Sequence, residues 1–234
     1  MKNCIYVIPC TLSSNENLSV ISPEVAPAAM ACDAFIVEDL RSPRRYLRKI
    51  GFTKNFDELP FFEMTKGADQ TNLAVFIKKN IESVNIGILS EAGCPGVADP
   101  GAEAVKIAHN NNIEVRPLVG PSSIILTLMA SGFNGQNFAF NGYMPIEKSE
   151  RGKRIATLEN LMYQHNQTQL FIETPFRNNH LFAHILEVCK PTTKLCIASE
   201  LTLPEQFIAT KTIAQWKTIP IDLHKKMVVF ALYK

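Results

Sequence analysis

Short apolar runs alternate along the first half of the chain with longer segments in which apolar residues recur at helical spacing. The runs have the length and composition of buried strands and cover residues 5–8, 35–37, 86–89 and 113–118, with a weaker strand at 60–64. Helices are predicted between them, over residues 23–32, 42–50, 70–81 and 102–112. Because strands and helices alternate, the pattern predicts parallel strands joined by right-handed crossovers, which is an α/β fold.

The helix after the second strand carries clear signals at both ends. Ser42 is a natural N-cap, Pro43 suits the first turn, and Gly51 suits the position just past the C-terminus. These signals predict a compact helix of about two turns.

The second half of the chain has a different pattern, which starts at the turn of residues 119–123. A strongly apolar helix over 124–130 comes first, and two longer helices (147–163 and 178–189) and one short helix (212–216) are predicted after it. The predicted strands cover residues 138–140, 169–172, 194–198 and 227–232. Crossover helices are too few for a wholly parallel sheet. The sequence therefore predicts an N-terminal α/β lobe of residues 1–118 with a mainly parallel sheet, and a C-terminal α/β lobe of residues 119–234 with a mixed sheet.

Composition limits the class of protein without identifying it. The 234 residues are 46% apolar and 20% charged, as in soluble folded proteins, and no apolar run approaches the length needed to span a bilayer. The N-terminal apolar run is short and predicts a first strand rather than a signal peptide. The six cysteines are scattered without a Cys-x-x-Cys pair, which indicates reduced, mainly buried thiols in a cytoplasmic protein.

The segment Ser90–Gly101, SEAGCPGVADPG, combines three glycines, two prolines and two carboxylates just after a predicted buried strand. Open α/β sheets bind their ligands past the carboxyl ends of strands, so this constrained loop is a candidate ligand site. An ordinary turn rich in Gly and Pro is the alternative. The turn Gly120-Pro121-Ser122-Ser123 opens the next helix and could present free N–H groups to a ligand or simply cap that helix.

Carboxylates recur at the ends of predicted strands, as Glu38-Asp39, Glu91, Asp99, Glu173 and Glu200. In a parallel sheet these ends share one edge, so the groups could converge on a site. Some of them could instead cap helices or pair with arginines such as Arg41 and Arg177.

Two basic runs, residues 41–54 and 148–154, could bind phosphates, although exposed helix faces are often basic without a partner. The net charge of +2 is too small to favour nucleic acid by itself. The sequence lacks the Gly-x-Ser-x-Gly elbow, the Walker A loop and the dinucleotide fingerprint. His180 and His184 lie four apart but have no evident third ligand, so no metal is expected.

Five stretches together resemble the tetrapyrrole methylase superfamily, in the branch of the ribosomal RNA cytidine-2′-O-methyltransferases. SEAGCPGVADPG is similar to that branch's S-D-A-G-x-P-x-x-x-D-P-G, and residues 37–41 (VEDLR) to its A-E-D-T-R. Residues 120–123 (GPSS) resemble G-P-S-A, residues 141–145 (NGYMP) resemble E-G-F-L-P, and residues 173–177 (ETPFR) resemble E-S-P-H-R. The motifs come in the family's order and cover nearly the whole chain.

The resemblance implies a homodimer of two-lobed chains that binds S-adenosylmethionine in a cleft between the lobes, held largely by backbone groups. The implied cofactor-binding residues are Ile8, Pro9, Cys10, Ala92, Gly93, Cys94, Val97, Pro121, Ser122, Ser123, Ile172, Leu201 and Met227. The loop after the first strand lacks the family's glycine. Leu40, Glu91 and Phe176 replace the family's Thr, Asp and His.

The leading hypothesis is a methyltransferase that uses S-adenosylmethionine to methylate the ribose of small-subunit ribosomal RNA. The candidate catalytic residues are Glu38, Asp39, Arg41, Glu91 and Glu173, and the candidate substrate-binding residues are Arg44, Arg45, Arg48 and Arg177. Two alternatives stay open. One is a small-molecule methylase that acts on a tetrapyrrole-like ring, and the other is a scaffold or sensor that binds the cofactor without activity.

Overall fold

The structure is a computed structural model that describes residues 2–13, 18–64 and 70–234. The chain divides by its internal contacts into two compact units, Met1–Ser122 and Ser123–Lys234. The sequence places a lobe boundary after residue 118, and that finer boundary stays a prediction.

The first unit alternates strands and helices, as the sequence predicts. Its elements are β1 (Cys4–Ile8), α1 (Val25–Met30), β2 (Cys32–Val37), α2 (Arg41–Lys49), β3 (Phe61–Glu63), α3 (Gln70–Ile81), β4 (Asn85–Leu89), α4 (Gly101–Asn110) and β5 (Glu114–Pro117). Short 3-10 turns lie at Leu18–Val20 and Phe56–Glu58.

All five strands of the first unit pair in parallel, in the order β3-β2-β4-β1-β5. The central strand β4 contains Gly87 because a Cβ there would lie 2.8 Å from the Phe35 ring and 2.9 Å from Cδ1 of Ile8. Apolar clusters cover both faces of the sheet, one packed with α3 and α4 and the other with α1 and α2. The parallel sheet sets the ends of β1, β4 and β5 at one edge.

Several predicted helix ends in this unit differ from the observed ones. Helix α1 begins at Val25 rather than at residue 23, and α4 runs over Gly101–Asn110 rather than over 102–112. Helix α1 ends at Met30, and Cys32 already belongs to β2, where it pairs with Asn85 of β4. Helix α2 begins at Arg41, so Ser42 lies inside the first turn, where its own N–H needs a partner. Asp39 supplies the cap, because its Oδ1 accepts hydrogen bonds from the N–H of Arg41 at 2.7 Å and of Ser42 at 2.9 Å. Gly51, with φ of +92°, ends the helix as predicted.

The second unit is built around a mixed sheet. Its elements are α5 (Ser123–Ser131), β6 (Phe138–Tyr143), α6 (Lys148–His165), β7 (Thr168–Ile172), α7 (Asn178–Val188), β8 (Lys194–Ser199), β9 (Phe207–Thr212), α8 (Ile213–Trp216) and β10 (Val228–Tyr233). The strand order is β6-β7-β10-β8-β9, with β6 and β7 parallel and the other neighbours antiparallel. The predicted mixed sheet is confirmed, while the edge strand β9 escaped prediction.

The core of the second unit includes Phe171 and Phe230, whose rings stack 5.8 Å apart, and Trp216, whose indole N–H donates to the Leu195 carbonyl at 2.8 Å. The six cysteines are free thiols, all buried except the half-buried Cys94, as the sequence predicts. In the described residues, none of the helices combines the length and the apolar character that crossing a membrane requires.

Candidate cofactor and substrate site

The loops that follow β1, β4 and β5 are bonded to one another at the carboxyl edge of the first unit's sheet. The N–H of Cys10 donates to the Gly93 carbonyl at 2.8 Å, and the N–H of Gly93 donates back to the Thr11 carbonyl at 3.3 Å. The Cys94 thiol lies 3.3 Å from the Pro121 carbonyl oxygen. We call these joined segments, residues 8–12, 90–97 and 118–122, the three-loop junction. It contains all of the residues proposed to bind cofactor in the first unit.

Two glycines allow the loops of the junction to approach this closely. Gly93 has φ of +71°, and a Cβ on it would contact Cδ2 of Leu12 at 3.4 Å and the Pro121 carbonyl at 3.5 Å. Gly120 lies directly against Pro9, because a Cβ on it would come within 2.1 Å of the Pro9 Cβ. The sequence marks Gly120 only as part of a turn, and its contact with Pro9 could not be read from that turn. The absence of a side chain at Gly93 and Gly120 therefore lets the three loops pack closely, which fits a site built from backbone groups.

Asp99 holds the loop of residues 90–101 in shape. Its Oδ1 accepts hydrogen bonds from the N–H groups of Gly96 at 2.6 Å and Gly101 at 2.7 Å. Burial raises the pKa of the Asp99 carboxyl, and the two backbone hydrogen bonds oppose that rise. The carboxyl is engaged by its own loop, which indicates a structural role.

Three other carboxyl groups lie together beside the junction. The N–H of Glu91 donates to Oε1 of Glu38 at 3.4 Å, and the charges of Glu91 and Asp39 both act on Glu38. Burial, reinforced by the nearby Asp99, raises the pKa of Glu38. Burial acts against ionisation of Asp39 as well, but the hydrogen bonds from the N–H groups of Ser42 and Arg41 outweigh it and lower the pKa of Asp39. Glu38 therefore has the electrostatic character of a general base, whereas Asp39 serves as the cap of α2.

The arginines of α2 separate into two groups. The Arg44 guanidinium lies 5.0 Å from the centre of the Phe61 ring, and that of Arg48 lies 4.1 Å from the centre of the Phe56 ring. Arg48 also donates to the Phe52 carbonyl at 2.5 Å. Aromatic packing therefore engages both guanidinium groups within the first unit.

Arg45 lies on a different side of α2. With Ser42, Lys49 and Glu91 among others, it lines a cavity of about 100 Å³ that reaches back to Cys10 of the three-loop junction. Arg41 is exposed at the start of the same helix. Of the predicted substrate-binding residues in the first unit, Arg45 thus has the position that best suits a ligand beside the junction.

The second unit brings its own candidate residues together at one edge. Strand β10 runs antiparallel between β7 and β8, so its first residues lie at the carboxyl ends of both neighbours, with Val229 opposite Ile172 and Val228 opposite Ser199. Met227, just before β10, is 59% exposed, and its carbonyl accepts the N–H of Glu200 at 3.0 Å. Leu201, next along the chain, is buried.

Glu173 is engaged by its own loop. Its side chain is 1% exposed and pairs with Arg177, whose Nη2 and Nε lie 2.5 and 3.1 Å from Oε1. The same oxygen accepts the N–H of Thr174 at 2.7 Å. The second oxygen, Oε2, is buried and has no hydrogen-bond partner among the described residues. The pair positions the turn after β7, and the predicted roles of Glu173 and Arg177 toward a ligand stay predictions.

The two histidines that are four residues apart form no metal site. The Nδ1 atom of His184 accepts a hydrogen bond from Nε of the buried Arg151 at 3.0 Å. In the part of the chain that the structure describes, no group of three or more His, Cys, Asp or Glu side chains could hold a metal ion.

The chain is similar in sequence to several known proteins that carry the same name. No protein-family model matches the chain. It is 25% identical over 211 residues to Ribosomal RNA small subunit methyltransferase I of Vibrio cholerae, covering 90% of this chain and 69% of the relative. The protein of the same name from Haemophilus influenzae is 27% identical over 209 residues, covering 89% of this chain and 70% of the relative. The one from Synechocystis is 28% identical over 193 residues, covering 82% of this chain and 66% of the relative.

Solved structures show the same fold. The methyltransferase CobJ superposes with a TM-score of 0.64 at 14% identity, over 99% of this chain and 94% of that one. Diphthine synthase superposes with a TM-score of 0.68 at 13% identity, over 98% of this chain and 89% of that one. Uroporphyrin-III C-methyl transferase from Thermus thermophilus was solved with S-adenyl homocysteine. It superposes with a TM-score of 0.57 at 10% identity, over 99% of this chain and 98% of that one.

The resemblance to the tetrapyrrole methylase superfamily is confirmed. Its sequence motifs lie where they form the three-loop junction of the first unit and the loop edge of the second. The loop after β1 lacks the glycine of the resembled motif, and Cys10 and Thr11 join it to Gly93 by backbone hydrogen bonds. The roles of the individual site residues stay predictions.

Proposed function

We propose that the chain is an S-adenosylmethionine-dependent methyltransferase that methylates a ribose hydroxyl of small-subunit ribosomal RNA. The observation that carries this proposal is the three-loop junction, in which backbone hydrogen bonds and the close packing of Gly93 and Gly120 hold residues 8–12, 90–97 and 118–122 together. The relatives named Ribosomal RNA small subunit methyltransferase I, which align over 82–90% of the chain in the three cases above, support the RNA substrate.

The cofactor is held by Ile8, Pro9, Cys10, Ala92, Gly93, Cys94, Val97, Pro121 and Ser122 in the first unit, and by Ser123, Ile172, Leu201 and Met227 in the second. When bound, S-adenosylmethionine supplies an activated methyl group. The chain's part is to orient the acceptor oxygen and to remove its proton. The Cys10 thiol takes no part as a nucleophile, because burial raises its pKa to about 12.

Glu38 accepts the proton of the ribose hydroxyl. Burial and the neighbouring Asp99 raise its pKa, so its carboxylate is more basic than an exposed glutamate. Glu91 positions it through the hydrogen bond from its backbone N–H, and Asp39 caps the adjoining helix α2. Arg45, which lines a cavity together with Glu91, contacts a phosphate of the RNA, and the exposed Arg41 at the start of α2 is the second candidate.

The protein acts as a homodimer in the cytoplasm. The resemblance supports the homodimer, and the six free, mainly buried thiols fit a reducing compartment. Light scattering after size exclusion measures the first property, and a monomer at micromolar concentration contradicts it.

The test of the function compares ribose methylation of small-subunit ribosomal RNA in cells with and without the gene. The expected result is loss of methylation at one or a few positions, restored by the wild-type gene and not by Glu38→Gln. Calorimetric titration with S-adenosylhomocysteine is the companion measurement in vitro. If the protein binds none up to millimolar concentration, it is not a methyltransferase of this kind. If it binds the cofactor product but the RNA pattern is unchanged, the substrate is wrong.

A further inference from the structure

An exposed aromatic ring lies beside a turn that carries two exposed lysines, at the carboxyl edge of the second unit's sheet. Phe176 is 65% exposed, and the ring of His224 lies 5.9 Å from it at 69° between planes. Lys225 and Lys226 follow His224 directly, and all three are exposed. We call Phe176, His224, Lys225 and Lys226 the Phe176 patch.

The two segments that carry the patch are tied together by their backbones. The N–H of Lys225 donates to the Pro175 carbonyl at 3.0 Å, and Nδ2 of the buried Asn178 donates to the Lys226 carbonyl at 2.8 Å. Lys225 has φ of +60°, a left-handed conformation that costs free energy in a lysine. These bonds fix the backbone positions from which the ring and both lysines project, which lowers the entropy lost on binding a ligand.

A second pair of hydrogen bonds anchors the same turn. Asn179 donates from Nδ2 to Oδ1 of Asp222 at 2.8 Å and accepts the N–H of Leu223 at 2.8 Å. Oδ1 of Asp222 also accepts the N–H of His224 at 3.0 Å. The acidic group nearest the patch is thus engaged in shaping the turn.

The charge of the patch favours a polyanion. Neither Lys225 nor Lys226 has an ion-pair partner within 4.0 Å among the described residues. A single exposed phenylalanine is ordinary on a protein surface. A rigid one flanked by unpaired cations is the pattern by which single-stranded nucleic acids are held, with a base stacked on the ring and phosphates near the cations.

We propose that the Phe176 patch binds single-stranded RNA, with one base stacked on Phe176 and backbone phosphates near Lys225 and Lys226. The inference rests on the proposed function, because it takes ribosomal RNA as the substrate. The patch adjoins Met227 along the chain, so the stacked base lies next to a residue proposed to hold the cofactor. The cofactor itself is a poorer occupant, because S-adenosylmethionine carries a net positive charge that the lysines repel.

The experiment measures binding of a short fluorescein-labelled single-stranded RNA of mixed sequence across a series of salt concentrations. Phe176→Ala weakens binding about tenfold, since stacking on an aromatic side chain accounts for roughly that much per base, and Phe176→Trp retains it. The double variant Lys225→Asn/Lys226→Gln lowers the slope of log K against log salt by about 1.4, because two phosphate contacts are lost. Asn is chosen at residue 225 because it tolerates a positive φ.

Two variants at the opposite end of the same sheet serve as controls. Phe138→Ala removes a partly exposed phenylalanine at the start of β6, and Lys194→Gln removes an exposed lysine at the start of β8. Both leave RNA binding and its salt slope unchanged. If the control variants weaken RNA binding as much as the patch variants do, a change in total charge or in stability explains the loss, and the proposal is overturned.

Affinity for S-adenosylhomocysteine separates this inference from the proposed function. The expected result is unchanged cofactor affinity in Phe176→Ala together with weaker RNA binding. Weaker cofactor binding with normal RNA binding overturns the inference and makes Phe176 a cofactor contact. If the patch binds RNA as expected but the wild-type protein leaves small-subunit RNA unmethylated, the proposed function fails and the inference stands.

Discussion

The contact between Gly120 and Pro9 makes the three-loop junction sensitive to a single methyl group. In Gly120→Ala, the new Cβ would lie 2.1 Å from Cβ and 2.4 Å from Cγ of Pro9, whereas carbon atoms in contact sit about 3.5 Å or more apart. The proline ring cannot rotate away, and the Pro9 carbonyl is held at 2.8 Å by the Tyr46 hydroxyl. The loops after β1 and β5 must therefore separate by about 1.5 Å to restore carbon contact.

The displacement sets the expected size of the effect. Over-packing of this kind costs about 1–3 kcal/mol of folding stability. A shift of about 1 Å in groups that position a ligand can cost roughly a hundredfold, so we expect the affinity for S-adenosylhomocysteine to fall by about that factor, or about 2.8 kcal/mol. Gly93→Ala is the graded comparison, because its Cβ fits at 3.4 Å from Leu12 and the cost comes from φ of +71°, about 1–2 kcal/mol.

Calorimetric titration gives the affinity, and urea denaturation of the same samples gives the stability. Gly135→Ala is the neutral control, because nothing lies within 4 Å of its added Cβ. If Gly120→Ala stays folded by near-ultraviolet circular dichroism and binds S-adenosylhomocysteine within threefold of wild type, the junction does not hold the cofactor. If Gly120→Ala fails to fold, the milder Gly93→Ala decides the question by the same titration.

Three further predictions concern charged groups. Arg177→Ala leaves Glu173 buried without its cation and lowers the free energy of unfolding by about 3 kcal/mol, and adding Glu173→Gln restores most of that loss in urea denaturation. Burial lowers the pKa of His184 in the folded protein. As the pH drops below about 6.5, the unfolded chain protonates this histidine before the folded protein does, so the free energy of unfolding falls. In His184→Gln, the free energy of unfolding measured by urea denaturation depends less on pH in this range. Arg45→Ala weakens RNA binding at unchanged melting temperature, whereas Arg48→Ala lowers the melting temperature, since Arg48 packs on a ring.

The fold of the first unit was accessible from sequence because of how parallel sheets are covered. Helices on both faces make each strand a continuous apolar run, and the intervening helices keep their own period. Helix α3 begins and ends where the periodicity of residues 70–81 predicts. The end of α1 and the start of α2 were harder to predict from the sequence. The strand pairing of Cys32 with Asn85 ends α1 early, and the hydrogen bonds to Asp39 set the start of α2.

Strand β9 shows what the same approach cannot detect. It pairs only with β8, and none of its residues is fully buried. An edge strand of this kind has no apolar run, so its sequence, FIATKT, does not separate it from a loop.

Within the site, backbone features were predictable and side-chain partners were not. Glycine and proline mark the junction because they constrain the main chain wherever they occur. The predicted substrate residues Arg44 and Arg48 lie over Phe56 and Phe61, whose approach depends on the path of the chain between α2 and β3. A basic run therefore indicates where cations are, but the packed structure decides which of them remain open to a ligand.

The two units offer different chemistry at the edges that carry their candidate residues. The first unit gathers Glu38 and Glu91 beside the junction, and their shared negative charge helps to raise the pKa of Glu38. Such a cluster suits proton removal but repels RNA phosphates, so the cations that attract the substrate must act beyond it. The lysines of the Phe176 patch meet that requirement on the second unit, whereas Arg45 shares its cavity with Glu91 and offsets the negative charge there. The proposed base and the proposed RNA-binding cations are thus different residues, so no single group has to serve both purposes.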